Sequence, residues 1–151
     1  MVRVEGRPLV VVDYAHSPDA LEKVLEALRS LLEPGAKLVC VFGCGGDRDK
    51  GKRPLMGEVA TRLSHLAIVT SDNPRSEDPH GIIEEIIGGA HPNYVVEEDR
   101  ATAIARAVRE AGPEDLVLIA GKGHESYQEI AGTRLPFSDA EVARVALERS
   151  A

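Results

Sequence analysis

The sequence predicts an α/β fold, with a mostly parallel sheet of about six strands, helices on both faces and an antiparallel strand at the C-terminal edge. Short apolar runs rich in β-branched residues alternate five times with longer stretches of helical periodicity. Parallel strands require such crossover connections. The runs are apolar at nearly every position, as expected for strands buried on both faces. The alternation stops at residue 127, where a hairpin pattern precedes a last helix.

Each element has its own local signal. The parallel strands are predicted at 8–13, 37–42, 66–71, 93–98 and 115–121, and the hairpin is predicted over 127–137. The helices are predicted at 17–32, 53–64, 79–89, 99–112 and 138–150. Residues suited to helix N-caps and first turns begin four of the five helices, namely Ser17 with Pro18, Pro79, Asp99 and Ser138. Gly112 is a stop signal.

The first helix shows the clearest apolar stripe. Its members recur at helical spacing and are predicted to face the sheet: Leu21, Val24, Leu25, Leu28, Leu31 and Leu32. Pro34 and Gly35 follow and are expected to end the helix.

Composition limits the classes of function. With 151 residues, 43% of them hydrophobic and 28% charged, the chain is predicted to be one globular domain with a substantial core. A net charge of −7 and an aromatic content of 3% disfavour a nucleic-acid surface. Neither a membrane span nor a signal peptide is recognisable, so we expect a cytoplasmic protein. Cys40 and Cys44 are expected to be free thiols rather than a disulfide or metal pair.

The predicted sheet also indicates where a ligand would bind. In Rossmann-like sheets, ligands lie at the carboxyl ends of the strands. Four loops follow strands of the alternation and carry unusual polar residues, namely 13–17, 43–53, 71–78 and 120–126. The sequence therefore predicts a site formed by these four loops.

The second of these loops is similar to a phosphate loop but departs from it. Residues 46–52 fit G-x-x-x-x-G-K, yet Arg53 stands where a hydroxyl residue would hold magnesium. A dinucleotide fingerprint fails as well. What remains is a basic loop with Arg48, Lys50, Lys52 and Arg53, and contact with an anion is favoured over simple solvation.

The other loops add groups of both charge signs. Arg75 beside Pro74 is either a solvated side chain or a clamp on a ligand. His16 precedes the helix, but histidine is a poor N-cap and Ser17 can cap the helix alone, so His16 is a candidate for a functional role. Lys122, His124 and Glu125 have no fixed mutual geometry in the sequence, so no catalytic pair is assigned. Arginine binds carboxylates bidentately and carboxylates bind ammonium groups. The loops therefore suit a zwitterionic ligand such as an amino acid.

Four long motifs, in order, carry a resemblance to a known family. "DYAHSPDALEKVL", "FGCGGDRDKGKRPLMG", "TSDNPR" and "AGKGHESYQ" resemble the C-terminal domain of the Mur ligases, in particular the members that add meso-diaminopimelate to a peptidoglycan precursor. The resemblance covers nearly the whole chain. It implies that residues 1–151 are the amino-acid-binding C-terminal domain, and that an N-terminal UDP-sugar domain and a central ATPase domain are absent from this sequence.

The resemblance also implies site residues. The positions matching the family's meso-diaminopimelate contacts are Arg48, Asp72, Asn73, Pro74, Arg75, Gly121 and Glu125. Asp13 and His16 match positions that approach the nucleotide. No catalytic residue and no metal ligand is assigned to this chain.

The family's partners follow from the same resemblance. They are meso-diaminopimelate, ATP with Mg²⁺ and the UDP-N-acetylmuramoyl-dipeptide, and ATP and Mg²⁺ are expected to be held mainly by the central domain. We expect a monomer that binds neither nucleic acid nor membranes. The isolated chain is expected to show no turnover.

Two alternatives remain open from the sequence. One is a stand-alone module that binds an amino acid or nucleotide, and the other is the sister ligase that adds L-lysine. Arg75 argues against the second, because L-lysine has no distal carboxylate for an arginine to bind.

Overall fold

A computed structural model describes residues 1–149. The helix predicted over 138–150 lies within this range except for Ser150, which is outside the described residues, as is Ala151.

All the predicted elements are present. The strands are β1 (Leu9–Asp13), β2 (Leu38–Phe42), β3 (Leu66–Val69), β4 (Tyr94–Val96), β5 (Leu116–Ala120), β6 (Tyr127–Ile130) and β7 (Thr133–Pro136). The helices are α1 (Pro18–Arg29), α2 (Lys52–Leu63), α3 (Pro79–Ile87), α4 (Arg100–Glu110) and α5 (Asp139–Arg149). Their ends differ from the predicted ones by at most three residues.

The first five strands form one parallel sheet in the order β1-β5-β2-β3-β4. Helices α1, α2 and α3 cover one face, where Leu25, Met56 and Ile83 join the same core. Helices α4 and α5 cover the other face through Ile104 and Leu147. The predicted fold class is confirmed, and the apolar strands are accounted for by burial between two helical layers.

The C-terminal hairpin is placed differently from the prediction. Strands β6 and β7 form a separate two-stranded antiparallel sheet, so the main sheet has five strands and no antiparallel hairpin strand at its edge. The outer side of β1 pairs instead with Val2, whose backbone exchanges two hydrogen bonds with Val10. The hairpin pairs with the loop after β3, because the Arg75 N–H donates to the Glu129 carbonyl (3.0 Å) and the Ala131 N–H to the Arg75 carbonyl (2.8 Å).

The capping predictions are confirmed. The Ser17 hydroxyl accepts the Ala20 N–H, the Asp99 carboxylate accepts the Thr102 N–H, and the Ser138 hydroxyl accepts the Glu141 N–H. The predicted apolar stripe is too long, however, because α1 ends at Arg29 and Leu31 lies beyond it with 69% of its surface exposed. Between residues 1 and 149, the structure has no helix with the length and apolar character needed to cross a membrane.

Candidate functional site

A cleft of about 320 Å³ opens at the carboxyl ends of the parallel strands. All four predicted loops contribute to its lining, which consists of Tyr14, His16, Gly45, Arg48, Lys52, Asp72, Asn73, Arg75, Gly121 and Glu125. The strand order explains this convergence, because β5 lies between β1 and β2 and brings the loop after Ala120 next to the loops after Asp13 and Phe42.

Seven of the nine predicted site residues line the cleft, and two, Pro74 and Asp13, do not. Pro74 is buried behind the wall, where its carbonyl accepts the Glu77 N–H at 3.0 Å. The Asp13 carboxylate accepts the Ala15 N–H at 2.8 Å and so shapes the turn before α1. Both of these hydrogen bonds are with the backbone of the residue's own loop.

Close contact between two loops forms one wall. The Gly46 N–H donates to the Asn73 carbonyl at 2.7 Å, and a Cβ on Gly46 would lie 1.8 Å from the Pro74 carbonyl oxygen. Only glycine allows this approach. The loop that carries Arg48 is therefore packed directly against the loop that carries Arg75.

Arg75 is held in place rather than freely solvated. Its backbone is in the left-handed region, with a φ of 54°, and pairs with the hairpin on both sides. The half-buried guanidinium donates from Nη1 to the Gly46 carbonyl (2.9 Å) and, at 3.4 Å, to the Asn73 carbonyl. Its Nε and Nη2 groups make no hydrogen bond within residues 1–149, so they are available to a carboxylate in the cleft.

Lys122 lies buried beneath the cleft, outside its lining, and is a residue to which the sequence assigned no role. Its side chain is fully buried, and its Nζ lies 2.7 Å from Asn73 Oδ1, 3.2 Å from Glu125 Oε1 and 3.5 Å from Asp72 Oδ1. Gly121 and Gly123 on either side both have positive φ. In the sequence, only the position of this lysine between two glycines, directly after a buried strand, could have indicated that it belongs to the site. His124 is exposed and contacts the Tyr14 ring edge-on instead.

The basic loop divides into exposed and buried members. Arg48 is exposed at the cleft, and Lys52 donates from Nζ to the His16 carbonyl at 2.7 Å. Arg53 is fully buried and donates to both carboxylate oxygens of Glu77 (3.1 and 2.8 Å) and to the Gly45 carbonyl. The prediction that this loop contacts an anion is therefore wrong for Arg53, because its guanidinium is already paired with a carboxylate.

Glu77 links the loop that carries Arg48 to the loop that carries Arg75. Besides Arg53, its carboxylate accepts the Asp47 N–H, while the Asp47 carboxylate accepts the Ser76 hydroxyl. The hydrogen bonds from Arg53, and then that from the Asp47 N–H, lower the pKa of Glu77 from 4.5 to about 2.

This lowered pKa makes a stability contribution with a defined pH range. A carboxyl group with a depressed folded-state pKa stabilises the fold fully above its unfolded pKa of 4.5 and loses that contribution as the pH falls toward about 2. We expect Glu77→Gln to be less stable than the parent at neutral pH, with a gap that closes between these two values. Urea unfolding across that range measures it. Glu26→Gln, on the exposed face of α1, is the control, and a gap that does not change with pH would contradict the assignment.

Comparison with known proteins defines the family to which the chain belongs. The family model for "Mur ligase, glutamate ligase domain" matches residues 1–123, and the chain belongs to this family. A relative from Acidovorax sp. (strain JS42), named UDP-N-acetylmuramoyl-L-alanyl-D-glutamate–2,6-diaminopimelate ligase, is 60% identical over 147 residues, which is 95% of this chain. The relative of the same name from Neisseria meningitidis (strain Z2491) is 56% identical over 142 residues, or 94% of this chain.

Two solved structures share the fold of this chain. A structure titled as the 2,6-diaminopimelate ligase superposes with a TM-score of 0.93 at 44% identity, covering 99% of this chain and 31% of that one. A folylpolyglutamate synthase/dihydrofolate synthase from Yersinia pestis shares the fold with a TM-score of 0.62 at 19% identity, covering all of this chain and 30% of that one. The chain spans 29% of the length of both named relatives.

Proposed function

We propose that the chain is the C-terminal, amino-acid-binding domain of an ATP-dependent ligase in peptidoglycan synthesis. The reaction is the addition of meso-diaminopimelate to UDP-N-acetylmuramoyl-L-alanyl-D-glutamate. The names of the relatives at 55–60% identity support it. The observation that carries it is a cleft with a guanidinium on one wall and a carboxylate on its floor, Arg75 and Glu125. In this proposal the UDP-sugar and ATPase domains belong to the remaining part of the ligase.

The charges of the cleft suit a diamino dicarboxylic acid. Arg75, with Arg48 beside it, would bind a carboxylate through the free N–H groups of its guanidinium. Glu125 and Asp72 would bind an ammonium group, and Gly121 lets the ligand approach the backbone closely. L-Lysine would leave Arg75 without a carboxylate partner, which makes the lysine-adding alternative the poorer fit.

The chemistry assigns this chain a positioning role. In the proposed reaction the dipeptide carboxylate takes the γ-phosphoryl group of ATP, the amine of diaminopimelate forms the amide bond and phosphate leaves. The cleft would hold the amino acid so that its reacting amine points out toward the acyl phosphate. Fixing that geometry reduces the entropic cost of bringing the two reactants together in the transition state.

On the nucleotide side, His16 is the residue available. Its Nδ1 lies 2.7 Å from the Tyr14 carbonyl, which can only accept, so Nδ1 carries a proton and donates to it. Residues 46–53 lack the hydroxyl of a phosphate loop, and residues 1–149 contain no group of three or more His, Cys, Asp or Glu placed to hold a metal. We therefore propose that ATP and Mg²⁺ are bound mainly by the ATPase domain.

The test is an assay of the full-length ligase that contains this chain. We expect ADP release that requires both the UDP-N-acetylmuramoyl-dipeptide and meso-diaminopimelate, with the tripeptide product identified by mass. L-Lysine serves as the competing substrate. Equal use of the two amino acids, or no ligation with diaminopimelate, would rule the proposal out.

A further inference from the structure

We propose that Lys122 is a positioning residue for the incoming amino acid, acting through Asn73 and Glu125 rather than by touching the ligand. It is a fully buried cation beneath the cleft, and its ammonium group lies within 3.5 Å of an oxygen atom on each of three cleft residues. The inference rests on the proposed function, because the ligand it serves is the amino acid assigned to this cleft.

The first effect of Lys122 is on the Asn73 amide. Asn73 Oδ1 accepts two hydrogen bonds, from Lys122 Nζ at 2.7 Å and from the Glu129 N–H at 2.9 Å. A flipped amide would point its NH₂ group at two donors, so only one orientation is compatible with these partners. In that orientation Nδ2 donates to Glu125 Oε1 at 3.3 Å.

The second effect is on the Glu125 carboxylate. Lys122 and Asn73 both donate to its Oε1, whereas its Oε2 makes no hydrogen bond within the described part of the chain. One oxygen is thus anchored and the other remains open to the cleft. A carboxylate held in this way loses less rotamer freedom when a substrate ammonium binds.

The third effect is on charge. Asp72 and Glu125 place two carboxylates around the single ammonium of Lys122, with Nζ–O distances of 3.5 and 3.2 Å. The three groups together carry one net negative charge, which matches one substrate ammonium. Without Lys122, two like charges would share a largely buried floor and repel each other. Lys122 therefore allows both carboxylates to be present while leaving an attraction for a cation.

A purely structural role would also explain a buried lysine between two loops, and kinetics separate the two roles. Lys122→Met in the full-length ligase keeps the unbranched stem and removes the charge. We expect the KM for meso-diaminopimelate to rise about tenfold or more, since charged hydrogen bonds at the binding carboxylate are lost. We expect the KM for ATP to change by less than about twofold. Unchanged KM values, or equal rises for both substrates, would overturn the proposal.

Lys122→Arg gives a second answer and decides the question if the methionine variant does not fold. Arginine retains the positive charge, but its charge is delocalised over a planar guanidinium. No single guanidinium nitrogen can contact the oxygens of Asp72, Asn73 and Glu125 together. The positioning role predicts a raised KM for diaminopimelate with an unchanged KM for ATP, whereas wild-type KM values would show that any buried cation suffices and would overturn it. If the parent ligase does not use diaminopimelate at all, the proposed function fails instead, so the two failures are distinguishable.

Discussion

Replacing Arg75 with alanine in the full-length ligase should lower kcat/KM for meso-diaminopimelate by roughly 30- to 1,000-fold. A guanidinium bound to a carboxylate in a closed cleft makes charge-assisted hydrogen bonds, and its removal also leaves the ligand carboxylate unpaired. The combined loss is about 2–4 kcal/mol, at about 1.4 kcal/mol per factor of ten. The structure supports the large value, because the left-handed backbone and the Gly46 carbonyl hold the side chain at the cleft wall.

L-Lysine is the internal control for this variant. It has no distal carboxylate, so its slow incorporation should fall much less or even rise, and discrimination between the two amino acids should shrink. Arg75→Lys should recover little, because an ammonium group cannot reproduce the planar fork. If kcat/KM falls equally for both amino acids, Arg75 supports the loop and does not recognise a carboxylate.

The second large effect is expected on stability, at the Arg100–Asp139 ion pair. Both side chains are fully buried, with Nε–Oδ1 and Nη2–Oδ2 distances of 2.7 Å, and Arg100 also donates to the Ser71 and Ala120 carbonyls. The pair joins the first residue of α4 to the first residue of α5 beside the ends of β3 and β5. Asp139→Asn keeps the shape but leaves a buried cation unpaired, so we expect unfolding free energy to fall by about 3–5 kcal/mol.

Urea unfolding of the 151-residue chain at neutral pH measures this loss. The double variant Arg100→Met/Asp139→Leu removes both charges and should recover most of the stability, since apolar side chains of similar volume can replace a buried pair. Glu141→Gln, which breaks an exposed pair with Arg144 on the same helix, should leave the urea midpoint unchanged. A loss of similar size in all three variants would contradict this account.

The local signals were sufficient to predict the elements. Ser17 and Asp99 cap their helices through N–H groups only three residues away, so nothing outside the segment is needed to recognise them. The apolar runs predicted buried parallel strands for the same reason. Because the carboxyl ends of parallel strands lie at one edge of a sheet, the sequence also predicted that the four polar loops share that edge, and the strand order of the folded sheet makes them neighbours. The motifs in those loops then indicated the family, which the family model confirms.

What only the tertiary structure decided concerns partners that are distant in sequence. Arg48 and Arg53 are the same residue type in the same loop. Arg48 is exposed at the cleft, whereas Arg53 is buried against Glu77, which is 24 residues away in the sequence. Lys122 becomes a buried positioning group because Asn73, 49 residues away, reaches its ammonium. The hairpin joins the loop at Arg75 rather than the sheet edge, through the backbone pairing of Arg75 with Ile130. Whether a charge is solvated or buried depends on such contacts, and residue type and spacing do not encode them.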